Sequence, residues 1–220
     1  MKVNSDSMKL YAVTDSHHLN GRRLEEVVED VLKGGATFLQ LREKDMSHDE
    51  LVKEAVIIKK IADRYNVPFV IDDDIYAAKE ADADGVHIGQ SDADYQTARK
   101  LLGPDKIIGM TAPSVELAKK AESMGADYIG AGAVFNTSTK KDTHPLSTES
   151  LKEIADSVSI PVVAIGGITR DNVTKLKGTD IDGIAVVSAL FASENPCTSA
   201  SELLELSESL FGNVFKSITK

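Results

Sequence analysis

Short apolar runs alternate with amphipathic stretches along the whole chain. The runs are LYAVT (10–14), FLQLR (38–42), FVID (69–72), GVHIG (85–89), IIGMT (107–111), YIGAGAV (128–134), VVAIGG (162–167) and GIAVVS (183–188). Their length, their Val and Ile content and the Gly, Pro and Asp around them predict buried strands. Between them, apolar residues return at the spacing of one helical face: Leu24, Val27, Val28, Val31 and Leu32 form one such stripe, and Leu51, Ala55, Ile58 and Ala62 a second. Leu117, Ala121 and Met124 give a third, Leu151, Ile154, Ala155 and Val158 a fourth, and Leu203, Leu206, Leu210 and Val214 a last helix.

The same phrases recur at the strand entries. GGATF (34–38), ADADGV (81–86), GADYI (125–129) and TDIDGI (179–184) each introduce an even-numbered strand. NVPFVI (66–71) and SIPVVAI (159–165) open the third and seventh strands with proline where no ladder donor is needed. Strands alternating with helices predict a parallel sheet, and eight such units in 220 residues fit a closed α/β architecture, a single (β/α)8 TIM barrel. Residues 1–8 read as a polar N-terminal tail and 9–220 as the barrel.

Composition narrows the partners. With 25 basic and 35 acidic side chains the net charge is −10, which argues against nucleic acid or an anionic membrane as the main partner. A small anionic ligand stays open, because a pocket's field can oppose the global one. A single cysteine, Cys197, excludes an internal disulfide and suits a reducing cytoplasm. MKVNSDSMKL (1–10) lacks the apolar core of a signal peptide, and no run approaches the ~18 residues of a membrane span. A cytoplasmic location is expected, and a homo-oligomer is compatible with the sequence.

A barrel of this kind carries its chemistry at the carboxyl ends of its strands. There the chain places TDSHH, REKD, DDD, GQSD, TAPS, FNTSTKKD, GGIT and VSAL in turn. Gln40 and Arg42 alternate with Leu39 and Leu41 and so face the barrel mouth, where Arg42 can fork to phosphate oxygens beside Lys44 or pair with a carboxylate. Asp73 and Asp92 lie at adjacent strand ends and offer hard oxygen ligands suited to Mg²⁺, while Asp74 is a natural helix N-cap. Thr137, Thr139 and Lys140 can meet an anion, although lysine pairs also occur on solvated loops. Gly166, Gly167 and Ser188 end the seventh and eighth strands, where backbone N–H groups commonly cup a phosphate. His87 points inward with Gly85 and Gly89, as a core histidine or a functional one. The residues together suggest a diphosphate site with a metal beside a neutral monophosphate cup.

At this point the chain resembles the thiamine phosphate synthase family. YAVTD, QLREK, VPFVIDDD, GVHIGQSD, GADYIGAGAVFNTSTKKD, IPVVAIGGI and GIAVVSAL match its motifs in order and spacing, from Leu10 to about Phe191. The resemblance implies a transferase of thiamine biosynthesis that joins hydroxymethylpyrimidine diphosphate to hydroxyethylthiazole phosphate, releasing diphosphate with the help of Mg²⁺. It implies that Arg42, Lys44 and Lys140 hold the diphosphate, and Asp73 and Asp92 the metal. Gln40, Thr111 and His87 would face the pyrimidine. Thr137, Thr139, Gly167 and Ser188 would take the thiazole phosphate, with Asp72 and Val187 also in the substrate site. One position departs from the pattern: Asp72 stands where the family commonly has Asn. A thiazole tautomerase or a non-catalytic regulator could use the same barrel, but REK, DD and TKKD favour the synthase.

Overall fold

The structure, a computed structural model, describes residues 3–89, 95–136 and 145–212. Eight parallel strands close into one barrel in sequence order: β1 (Leu10–Val13), β2 (Phe38–Leu41), β3 (Phe69–Asp72), β4 (Gly85–Ile88), β5 (Ile107–Thr111), β6 (Tyr128–Gly132), β7 (Val162–Ile165) and β8 (Gly183–Val186). β1 closes the ring against β8, with Tyr11 opposite Ala185. Around it run α1 (Leu24–Lys33), α2 (His48–Tyr65), α3 (Ile75–Glu80), α4 (Tyr95–Leu102), α5 (Val115–Met124), α6 (Thr148–Asp156), α7 (Ser188–Phe191) and α8 (Pro196–Phe211).

The sequence pattern explains where these elements start and stop. Ser47 and Glu50 form a capping box at the head of α2, and Asn66 ends it in the left-handed region at φ 55°. Asp74 caps α3, accepting the Ala77 N–H at 2.8 Å, as its position predicts. The crossover between β7 and β8 holds a 3₁₀ turn, Val173–Leu176, in place of a full helix. Its stretch of chain supplies only Val173 and Leu176 to the core, three residues apart, and that spacing brings both to one side of a 3₁₀ turn. β8 ends at Val186, short of the apolar run read from sequence, because Ser188 already opens α7; β6 ends at Gly132, two residues short of its run.

Side chains alternate across each strand between two cores. Leu10, Ala12, Leu39, Leu41, Ile71 and Val86 face the helices. Tyr11, Phe38, Val70, Ile107, Tyr128 and Val163 fill the barrel. Tyr11, Phe38 and Tyr128 meet edge to face, with ring centroids 4.7–5.7 Å apart. Such pairs contribute about 0.5–1.5 kcal/mol each beyond the area they bury.

The segment read as a polar tail contributes to the amino-terminal end of the barrel. Asp6–Met8 form a 3₁₀ turn, and Met8 is fully buried against the interior cluster. Next to it Lys9 is 7% exposed and donates to the carbonyls of Phe211, at 2.9 Å, and Asp182, at 3.2 Å. A cation at the last turn of α8 meets the negative end of the helix dipole and joins the two ends of the barrel chain.

Candidate active site

Above the aromatic layer the barrel opens into a cavity of about 360 Å³ at the carboxyl ends of its strands. Its wall includes Gln40, Arg42, Lys44, Asp72, Asp73, His87, Thr111, Gly167, Val187 and Ser188. The period-two reading of QLREK holds: Gln40 is buried and Arg42 lies one pleat further up, both facing the cavity.

One side of the mouth is a compact cluster of charges. Asp72 Oδ2 lies 2.8 Å from Lys44 Nζ and 3.4 Å from Arg42 Nε, and Lys44 also bonds Asp73 Oδ2. Burial and the neighbouring Asp73 carboxylate raise the Asp72 pKa, against the pull of Lys44 and Arg42. Partial burial opposes the charge on Lys44, but its bonds to both aspartates outweigh this and hold its pKa above the usual lysine range. The Arg42 guanidinium and the two carboxylates thus share charge at rest, so the ion-pair reading of Arg42 and its availability to an anion coexist.

The backbone sets Asp73 in an unusual place. Its φ is 63°, and the Asp74 N–H reaches back to the Asp72 carbonyl at 2.7 Å, closing a three-residue γ-turn. The Asp73 N–H donates to the His87 carbonyl at 2.8 Å, and its Oδ1 accepts the Gly89 N–H at 3.4 Å. A strained non-glycine residue held between the ends of β3 and β4 is typical of a site where position matters more than local ease.

Below this cluster a hydrogen-bonded chain crosses the barrel. Gln40 Nε2 donates to the Tyr11 hydroxyl at 2.5 Å, Tyr11 and Tyr128 hydroxyls lie 2.7 Å apart, and Tyr128 lies 3.0 Å from His87 Nδ1. His87 Nε2 then faces Thr111 Oγ1 at 3.1 Å. Burial raises the pKa of both phenols, so they remain protonated donors. Gly109 makes room for this arrangement: it sits opposite Tyr128 across the β5–β6 ladder, and an added Cβ would come within 2.1 Å of the Tyr128 ring.

The opposite side of the mouth is neutral and rich in glycine. Gly166 and Gly167 have φ of 106° and 65°, conformations that favour glycine. A Cβ on Gly167 would meet the Asn136 carbonyl oxygen at 2.4 Å. Val187 and Ser188 complete this corner at the head of α7. Thr137, Thr139 and Lys140 on the β6 loop, and Asp92 beyond β4, lie outside the described residues.

Several residues of the site were not singled out by sequence reasoning. Thr14, fully buried, accepts the Arg42 N–H at 2.9 Å and donates to Glu43 Oε1 at 2.6 Å, and Glu43 Oε2 accepts the Ser16 N–H. These bonds hold the first and second loops together behind Arg42. His17, in the uninformative-looking DSHH, bridges Asp15 and Asp45 at 2.8 Å each, and His48 bonds Asp74 at 2.7 Å. Tyr11 and Tyr128 sit among apolar strand residues. For Tyr128 the one signal was Gly109 opposite it on the adjacent strand; Tyr11, opposite Phe38 and Ala185, had none.

Comparison with known proteins agrees with this geometry. A profile of the family described as thiamine monophosphate synthase matches residues 10–190. The thiamine-phosphate synthase of Ruminiclostridium cellulolyticum is 50% identical over 197 residues, covering 90% of this chain and 94% of that protein. That of Methanobrevibacter smithii is 44% identical over 203 residues, covering 92% and 97%. The solved thiamine phosphate pyrophosphorylase of Pyrococcus furiosus superposes with a TM-score of 0.86 at 37% identity, covering 94% of this chain and 99% of that one. More distant barrels, such as a 3-hexulose-6-phosphate synthase at 15% identity and a TM-score of 0.63, share the fold alone. Sequence, fold and the arrangement of the mouth thus lead to one place: the chain belongs to the thiamine monophosphate synthase family.

Proposed function

We propose that this protein joins hydroxymethylpyrimidine diphosphate to hydroxyethylthiazole phosphate, giving thiamine phosphate and inorganic diphosphate. The observation that carries this reading is the placement of two unlike anion sites on one cavity: a charged cluster at β2 and β3, and a neutral glycine corner at β7 and β8. A diphosphate suits the first and a monophosphate the second.

In this reading Arg42 and Lys44, with Lys140 from the β6 loop, bind the diphosphate. The reacting methylene carbon loses its bond to the diphosphate oxygen, the electron pair leaving with that oxygen, and the thiazole nitrogen forms the new bond. Arg42 and Lys44 meet the charge growing on the leaving group from fixed positions, the kind of preorganised field that supplies most of the catalysis in such sites. Gln40, Thr111 and His87 orient the pyrimidine; Gly167, Val187 and Ser188, with Thr137 and Thr139, receive the thiazole phosphate. Val187 and Ile165 add apolar wall that limits the access of water to the cation-like carbon.

The donor set fits a magnesium ion. Asp72 and Asp73 place adjacent carboxylates at the diphosphate end, close enough to share one ammonium, and hard oxygen donors of this kind suit that ion. Asp73 and Asp92 would hold it, and a bound Mg²⁺ supplies further positive charge to the departing diphosphate. No helix among the described residues is long and apolar enough to cross a membrane. Together with the single cysteine, this supports a cytoplasmic enzyme.

The test is diphosphate release from the pyrimidine substrate, with and without thiazole phosphate, each with Mg²⁺ or EDTA. Release that needs both, with thiamine phosphate appearing in step, supports the synthase. Saturable binding of thiazole phosphate without release moves the chain to a tautomerase or a non-catalytic regulator.

A further inference from the structure

Tyr128 is fully buried and does not reach the cavity, yet its hydroxyl is the middle link of the chain from Gln40 to Thr111. Each phenol has one proton to give, which fixes the direction of that chain. Gln40 Nε2 donates to Tyr11, so the Tyr11 proton goes to Tyr128 and the Tyr128 proton to His87 Nδ1. His87 must then accept at Nδ1 and carry its proton on Nε2, where Thr111 Oγ1 lies at 3.1 Å. Reversing the Tyr11–Tyr128 bond reverses the bond to His87 as well and leaves the Tyr11 proton without a partner in the chain, unless the Gln40 amide turns its oxygen to Tyr11. Two buried phenols that resist ionisation make the coupling tight, because neither can break the chain by losing a proton.

We propose that Tyr128 is a positioning residue that couples the amide orientation of Gln40 to the tautomer of His87, and so selects an amino-substituted pyrimidine. With Nε2 held by Tyr11, Gln40 turns its carbonyl oxygen to the cavity. That acceptor complements a ring amino group and opposes a ring carbonyl in the same place. This rests on the reading that the pyrimidine binds beside Gln40; the coupling itself does not. Specificity built on an oriented buried polar group is strong, because the wrong partner leaves that group unpaired.

Two measurements separate the parts. Long-range ¹H–¹⁵N spectra of the substrate-free protein, with the His87 signal assigned through His87→Gln, report the tautomer directly. The native protein should show His87 neutral, protonated on Nε2, and Tyr128→Phe should move the Nδ1 resonance and mix the two tautomers. Tyr11→Phe cuts the same chain one link earlier, releases the Tyr128 proton from the direction set at Gln40, and should also mix the His87 tautomers while keeping the Tyr128 bond to Nδ1. In kinetics, both variants should raise KM for the pyrimidine diphosphate roughly tenfold, leave KM for thiazole phosphate within about twofold, and discriminate less against the 4-oxo pyrimidine. A His87 signal unchanged by Tyr128→Phe, or protonated on Nδ1 in the native protein, overturns the coupling. A changed tautomer with equal effects on both KM values overturns its part in pyrimidine recognition. An inactive native protein sinks the synthase reading instead, and the spectra still decide the coupling.

Discussion

Asp72→Asn tests how the charged cluster prepares for an anion. At rest one oxygen of Asp72 holds both Lys44 Nζ and Arg42 Nε, at 2.8 and 3.4 Å, and an incoming diphosphate must take those cations from it. Asparagine keeps the shape of the side chain and an oxygen to accept from them, but removes the competing charge. Lys44 is about half exposed, with 48% of its side chain accessible, so solvent screens its pair heavily. A screened pair is worth roughly 0.2–1 kcal/mol, and two of them about 0.5–2 kcal/mol, which is a factor of roughly 2 to 30 in affinity. We therefore expect Asp72→Asn to lower KM for the pyrimidine diphosphate by a factor in that range and to leave kcat within about tenfold. Steady-state kinetics at fixed ionic strength and saturating Mg²⁺, with calorimetric binding of inorganic diphosphate alongside, reads both quantities. Weaker diphosphate binding, or complete loss of turnover, would refute the competition: Asp72 would then be required as a ligand of the metal.

Three further perturbations probe the frame around the site. Lys9→Met strips two buried carbonyls of their donor, with partial compensation from the added apolar burial; about 2–4 kcal/mol of stability should be lost, a drop of roughly 5–12 °C in Tm for a chain of this size. A loss under about 1 kcal/mol in urea unfolding would mean that water replaces the ammonium. Gly109→Ala forces the Tyr128 ring aside, and should cost about 1–3 kcal/mol and disturb the His87 signal as Tyr128→Phe does; an unperturbed spectrum would refute it. Hydrogen bonds to Asp15 and Asp45 raise the pKa of His17. Its link between the first and second loops is therefore fully made below the ordinary histidine pKa of about 6.5 and is lost as pH rises through the higher folded value. NMR titration should show that midpoint fall in Asp45→Asn, and no change would dissociate the pair in solution.

How far the sequence reached follows from what each kind of signal measures. Periodicity reports burial, so it found all eight strands and the inward face of Gln40 and Arg42, while residue type found the cap at Asp74, where one residue's local chemistry decides the outcome. It could not shorten the seventh crossover to a 3₁₀ turn, because two apolar residues three apart serve either helix type. The burial of Met8 was out of reach for a related reason: one apolar residue in a polar stretch carries no period, and only the shape of the barrel floor makes it a plug. Tyr128 is the sharper case. As a strand residue it reads as core, which it is; that its hydroxyl meets Tyr11 and His87 depends on the register of β1, β4 and β6 together, and no single segment contains that register.

The charge balance of the mouth also accounts for an apparent conflict between the chain and its ligands. The protein carries a net charge of −10, yet both substrates are anions. Arg42 and Lys44 are balanced at rest by Asp72 and Asp73, so the cluster does not act as a fixed positive patch that would collect any phosphate in the cell. An anion gains from it only by displacing carboxylates from the cations, and a single phosphate offers fewer oxygens for that exchange than a diphosphate does. A carboxylate released from Lys44 in the exchange leaves a hard oxygen donor beside the new anion, which is the condition that favours a divalent cation at the same place. Diphosphate and metal should therefore bind cooperatively, each made easier by the other, while the neutral glycine corner receives its monophosphate independently of Mg²⁺. Calorimetric titration of each ligand with and without the ion checks this directly: metal dependence at the glycine corner, or none for diphosphate, would show that the resting ion pairs do not control access to the site.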